Sequence, residues 1–134
     1  MQERLVVGPI ATNCWIIQTD SASESEEHTR KPCIVIDPGG DPKAIIARIE
    51  RVNLKVKYIL LTHGHFDHLA ALPDLFDYCC RHNMDPVLAI HKDDAAYLGP
   101  DAHEFHIRDF SAVGAESYVE SLWKPLPQAQ HLLQ

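Results

Sequence analysis

Residues 60–70, LLTHGHFDHLA, set three histidines and an aspartate within six positions, directly after an apolar run. Neutral imidazole nitrogens suit zinc, iron, manganese or another first-row divalent ion, and a carboxylate adds an oxygen ligand. His63 and His65 are two apart at the end of a predicted strand, where alternate side chains leave the same face. Gly64 between them has no side chain and lets the backbone pass close to an ion. Asp67 and His68 follow where the chain is expected to turn into a helix. The two pairs can each begin a separate metal centre. The competing reading makes Asp67 a helix cap and the histidines solvated surface residues. Four candidate ligands in six positions, after a strand whose central residues are apolar but for Tyr58, decide against it.

The elements that must hold this stretch follow from the hydrophobic patterning. Residues 56–62, VKYILLT, form a continuous apolar strand of the buried kind. An earlier strand, CIVID, ends in Asp37 and is followed by Pro38, Gly39 and Gly40. Between the two strands lies a helix. Asp41 is placed to cap it, Pro42 fits its first position, and Ile45, Ile46, Ile49 and Val52 make its apolar stripe. Strand, helix, strand at this spacing is a βαβ unit with parallel strands. A loop at the carboxyl end of such strands is where α/β sheets bind ligands.

Two shorter strands, 5–7 and 14–18, come first, joined by the turn-rich GPIATN. Residues 19–32 form a polar loop insertion rich in Ser and Glu. After the histidines, LAALPDLFDYCCRH reads as a helix interrupted or started by Pro73. PVLAIH is a third buried strand, and KDDAAYL starts another helical turn. Beyond Gly99 the pattern weakens and no closing element is evident. The alternation predicts a single α/β layered domain over residues 1–134.

The formal charge is −7 and no Lys- or Arg-rich run occurs, which argues against nucleic acid or an anionic membrane as partner. No stretch reaches the length of a membrane span, and the N-terminus does not read as a signal peptide. The four cysteines, Cys14, Cys33, Cys79 and Cys80, form no C-x-x-C pair. They are expected to be reduced and mostly buried, as in a cytoplasmic protein, and not to ligate metal.

The stretch THGHFDH resembles the H-x-H-x-D-H signature of the metallo-β-lactamase superfamily. The closer likeness is to glyoxalase II-like (hydroxyacylglutathione hydrolase-like) enzymes. VGPIATNCWII is similar to their opening strands, VIDPGGD to their aspartate–glycine loop, and KYILLTHGHFDHLAAL to their metal loop. The likeness runs from Leu5 to Leu98 apart from the polar insertion. It implies the N-terminal part of an αββα sandwich. It also implies a first metal on His63 and His65 and a second on Asp67 and His68, with Asp37 supporting the metal loop by hydrogen bonds. The implied reaction is hydrolysis of a thioester, such as a hydroxyacyl-glutathione, by a metal-bound hydroxide that Asp67 helps to orient. A phosphodiesterase of the same superfamily is a weaker alternative.

The family completes its centre with a histidine, a bridging aspartate and a last histidine, all later in the chain, and residues 1–134 hold no counterpart. The expectation is a shortened form with an incomplete two-metal site. His91, His103 and His106 do not resemble the missing loops, and His28, His82 and His131 read as solvated. A sandwich with only its first sheet leaves an apolar face uncovered, through which a homo-oligomer or another binding partner can associate. The alternative function is therefore a catalytically impaired interaction subunit.

Overall fold

A computed structural model describes residues 1–19 and 30–134. Most of the expected polar insertion, with His28, lies outside the described residues. Strands β1 (Gln2–Val7), β2 (Thr12–Gln18) and β3 (Lys31–Ile36) lead into helix α1 (Pro42–Arg51) and strand β4 (Leu54–Leu60). A 3-10 turn over Phe66–His68 precedes helix α2 (Leu72–Arg81) and strand β5 (Val87–His91). A second 3-10 segment, Lys92–Tyr97, leads to helices α3 (His103–Ser111) and α4 (Glu116–Leu122) and a short last strand, β6 (His131–Leu133). The result is a mixed α/β fold with one six-stranded sheet in sequential order. β1, β2 and β3 pair antiparallel, while β3 to β6 pair in parallel.

Strand alternation gives the sheet two different faces. On one, Cys14, Ile16, Cys33, Val35, Ile59, Leu88 and Ile90 are buried with Ile45 and Ile49 of α1 and Leu72, Leu75 and Cys79 of α2. Each fully buried Ile or Leu contributes roughly 1.5–3 kcal/mol by leaving water. The cross-strand rows Trp15–Ile36–Leu60 and Ile17–Ile34–Tyr58 occupy the other face. There Trp15, Ile17, Ile34, Ile36 and Leu60 are only half-buried, and Tyr58 is 47% exposed. This second face carries apolar side chains that stay partly open to solvent among the described residues.

Three local expectations need correction. Asp41 does not cap α1 with its side chain; it sits in the left-handed region at φ 49°. Its carboxylate instead accepts from the Gly8 N–H at 2.9 Å, tying the β1–β2 turn to the start of α1. The β4 strand ends at Leu60, so strand alternation is not what brings His63 and His65 together. The region beyond Gly99 is ordered into α3, α4 and β6. Its two helices are too short to show a clear period, Pro125 and Pro127 follow them, and β6 adds a parallel edge to β5.

Candidate metal centre

The metal-loop residues leave the sheet at the carboxyl ends of β3 and β4. Asp37 follows β3 and is the anchor. It is 4% exposed and holds a left-handed backbone at φ 54°, a conformation aspartate tolerates better than most residues at a cost of about 1–3 kcal/mol. Its carboxylate makes three contacts. Oδ1 takes the Thr62 N–H at 2.8 Å, and Oδ2 takes the Thr62 hydroxyl at 2.6 Å and faces Nδ1 of His68 at 3.0 Å. Three bonds from one buried carboxylate thus fix both ends of the segment Thr62–His68.

Glycines let the neighbouring backbone close on the loop. A Cβ on Gly39 would lie 2.0 Å from the carbonyl oxygen of Asp67, and one on Gly40 would lie 2.6 Å from the Cα of Gly8. Gly64 is required for a reason other than access to an ion. The ring of Tyr97 packs on it so closely that a Cβ would come within 2.5 Å. The Gly64 N–H donates to Asp94 at 3.0 Å, so the 3-10 segment after β5 braces the histidine loop. Thr12, at the start of β2, donates its hydroxyl to Asp67 at 3.3 Å. Thr12, Asp94 and Tyr97 were not found from sequence, because nothing local marks residues that reach the loop only through tertiary packing. Thr62 stood inside the motif and its hydroxyl was the available signal.

The outcome is a cluster of imidazoles. The His63 ring lies edge-on to His65 at 4.8 Å between centroids and tilted to His68 at 4.0 Å. Nε2 of His68 is 3.4 Å from Asp67 Oδ2. Burial, then the neighbouring His68 and His65, hold the His63 imidazole below its ordinary value, which favours the neutral form a metal needs. A cavity of about 280 Å³ opens beside the loop, lined by His65, Asp67, Asp109, Phe110 and Val113. Asp109 Oδ2 is buried there without a hydrogen-bond partner among the described residues.

The donor chemistry fits a divalent transition metal. The donor number does so only in part. No group of three His, Cys, Asp or Glu side chains among the described residues is arranged to hold an ion, whereas catalytic zinc takes three protein ligands and a water. The donors that the loop brings together are His63, His65, Asp67 and His68. The thiols do not add to it. Cys14, Cys33 and Cys79 are buried and free, and burial pushes each up to about 12.

Three further histidines are engaged elsewhere. His91 Nδ1 accepts from the Asp93 N–H at 3.1 Å and caps the 3-10 segment. His103 pairs with Glu120 at 2.8 Å. His106 is fully buried, and its Nε2 bonds the Tyr97 carbonyl at 2.8 Å.

Residues 7–128 match the family described as the metallo-beta-lactamase superfamily. The chain belongs to that superfamily. Among characterised relatives, 95 residues are 32% identical to the Bacillus subtilis protein named probable metallo-hydrolase YqgX, covering 71% of this chain and 38% of that one. Over 73 residues the chain is 38% identical to hydroxyacylglutathione hydrolase GloC of Haemophilus influenzae, covering 54% of this chain and 30% of the other. The chain thus matches well under half the length of these relatives. The superfamily fold extends over the whole chain in BLEG-1, a B3 metallo-beta-lactamase, at TM-score 0.69 and 26% identity, covering 53% of that protein. The di-iron-bound TTHA1623 shows the same fold at TM-score 0.65 and 24% identity, over 98% of this chain and 54% of that one. No helix among the described residues is long and apolar enough to cross a membrane.

Proposed function

We propose that this chain serves metal-dependent hydrolysis of a thioester of the hydroxyacyl-glutathione type, in the cytoplasm. One observation carries the reading: three imidazole rings and a carboxylate gather on a loop whose backbone and ring positions are set by the buried carboxylate of Asp37. The likeness to a hydroxyacylglutathione hydrolase supports the thioester substrate. His63 and His65 would hold one ion and Asp67 and His68 a second, with zinc, iron or manganese all compatible with these donors. A bound divalent ion supplies Lewis-acid polarisation of a carbonyl and acidifies water. Asp37 orients the imidazoles, Thr12 orients Asp67, and Phe110 and Val113 offer an apolar wall beside His65 for the acyl portion.

Metal analysis of the purified chain, together with thioester hydrolysis by wild type and His63→Ala, tests this. Two equivalents of metal and a rate abolished in the variant support it. Sub-stoichiometric metal with equal, negligible rates contradicts it for this chain alone.

That second result would favour another reading, an interaction subunit. The observation behind it is the outer sheet face, where the row Ile17–Ile34–Tyr58 lies beside Trp15–Ile36–Leu60. A second copy of the chain, presenting the same apolar face, is the partner this reading takes. Tyr58→Lys should then shift sedimentation from dimer to monomer, and a wild-type monomer at all concentrations would refute it.

A further inference from the structure

Thr62 stands between the anchor and the first histidine of the loop. Its hydroxyl lies 2.6 Å from Asp37 Oδ2 and 3.0 Å from Nδ1 of His63. A hydroxyl has one proton and an ionised carboxylate has none to give. The 2.6 Å contact falls in the range of a charge-assisted O–H···O⁻ bond, so the Thr62 proton lies toward Asp37. The Thr62 oxygen can then only accept from His63. Nδ1 of His63 must carry the ring proton, which leaves Nε2 with a bare lone pair. The same carboxylate oxygen faces Nδ1 of His68 at 3.0 Å and requires a proton there also.

We infer that Thr62 is a positioning residue that relays the Asp37 carboxylate to His63, so that one buried acid sets the tautomer of a histidine in each half of the centre. His68 is held directly and His63 through the hydroxyl. His65 has no such partner among the described hydrogen bonds, and it is the ring left free to adjust. The relay also explains why a hydroxyl-bearing residue is useful just before the first histidine. A side chain without that group could fill the space and would leave His63 free to protonate either nitrogen. This inference rests on the metal-site reading for its purpose, but the proton positions it assigns exist without any ion.

The experiment is long-range ¹H–¹⁵N correlation of the histidine rings in the metal-free protein, at roughly pH 8, above the ordinary range of imidazole protonation. In wild type, His63 and His68 are expected to show protonated Nδ1 and unprotonated Nε2. In Thr62→Val, His68 should keep this pattern while His63 moves toward the Nε2–H form. Thr62→Ser should restore it. A wild-type His63 protonated on Nε2, or a valine variant that keeps Nδ1–H, overturns the relay. Should the valine variant fail to fold, the wild-type and serine spectra decide. Adding Zn²⁺ to the wild type then separates the two claims. Absence of any shift at the His63 and His68 Nε2 resonances would contradict the metal site while leaving the tautomers as measured. With the site intact, Thr62→Val should weaken Zn²⁺ binding about 10–100-fold, the range for loss of an outer support.

Discussion

Two groups of histidines in this molecule have similar spacing and opposite fates. His63, His65 and His68 sit on a loop at the carboxyl end of the parallel strands, partly open to solvent. His103 and His106 sit three apart on α3, a spacing that also places rings on one side of an element. The difference lies in what each nitrogen already does. Asp37 and Thr62 engage Nδ1 of His68 and His63, which leaves Nε2 of His63 without a described hydrogen bond and Nε2 of His68 facing the Asp67 carboxylate at 3.4 Å. In His106 the Tyr97 carbonyl takes the Nε2 proton, and the ring packs among Phe66, Tyr97 and Trp123. A histidine becomes a candidate ligand when its support uses one nitrogen and leaves the other aimed at open space. Density of histidines alone does not make that distinction.

Five substitutions probe the contrast. The largest effect is expected from Asp37→Ala, which strands the Thr62 N–H and hydroxyl and the His68 Nδ1–H together. Urea denaturation should show a loss of about 2–4 kcal/mol, since each unmet polar group costs of order 1–3 kcal/mol when buried and less where water can reach it. An unchanged midpoint would mean that Asp37 does not organise the loop. Next is His106→Ala, which opens a cavity under Phe66 and releases the tie to Tyr97; about 2–3 kcal/mol should be lost. The neighbouring His103→Ala should stay within about 0.5 kcal/mol, as befits an exposed pair.

A smaller effect should appear with pH. Burial, its first cause, holds the His106 imidazole below its ordinary value of 6.5. The unfolded chain therefore takes up a proton at higher pH than the folded one, and stability present above about pH 6.5 is lost as pH falls through the folded value. His63 is shifted the same way, so the comparison of wild type with His106→Gln isolates the buried ring. Thermal midpoints measured between neutral and acid pH should fall less steeply in the variant. Equal slopes would place the His106 ring in water. His63→Ala should also change stability little, by under about 1 kcal/mol, because the ring is only half-buried and its one side-chain hydrogen bond is to the exposed Thr62. The same substitution should remove the thioester hydrolysis proposed above. A large loss of stability there would make His63 a structural residue like His106.

Much of this contrast was legible in the sequence, and the illegible part has physical causes. The βαβ unit was readable because β3 and β4 are apolar runs and α1 carries Ile45 and Ile49 at helical spacing with Pro42 at its start. The histidine loop was readable because its candidate ligands are adjacent in the chain. Asp37 was readable only through the resemblance, since an aspartate before Pro-Gly is by itself an ordinary turn residue. Asp41 shows how local propensity can mislead. It stands where a cap should, yet the chain enters α1 through a left-handed residue, and its carboxylate serves Gly8 across the sheet. The braces from Thr12, Asp94 and Tyr97 could not be read, because they come from 55, 30 and 33 residues away in the chain. The placement of α3 and α4 over Phe66 likewise depends on aromatic packing that no period reveals.

The central claim is that the loop from His63 to His68, and not the pair on α3, is where this chain meets a metal ion. Titration of Zn²⁺ into the metal-free chain, followed at the ring resonances of all assigned histidines, tests it most directly. The Nε2 signals of His63, His65 and His68 are expected to shift together while those of His103 and His106 stay in place. Shifts confined to His103 and His106, or a loop that does not respond to the ion, would contradict it.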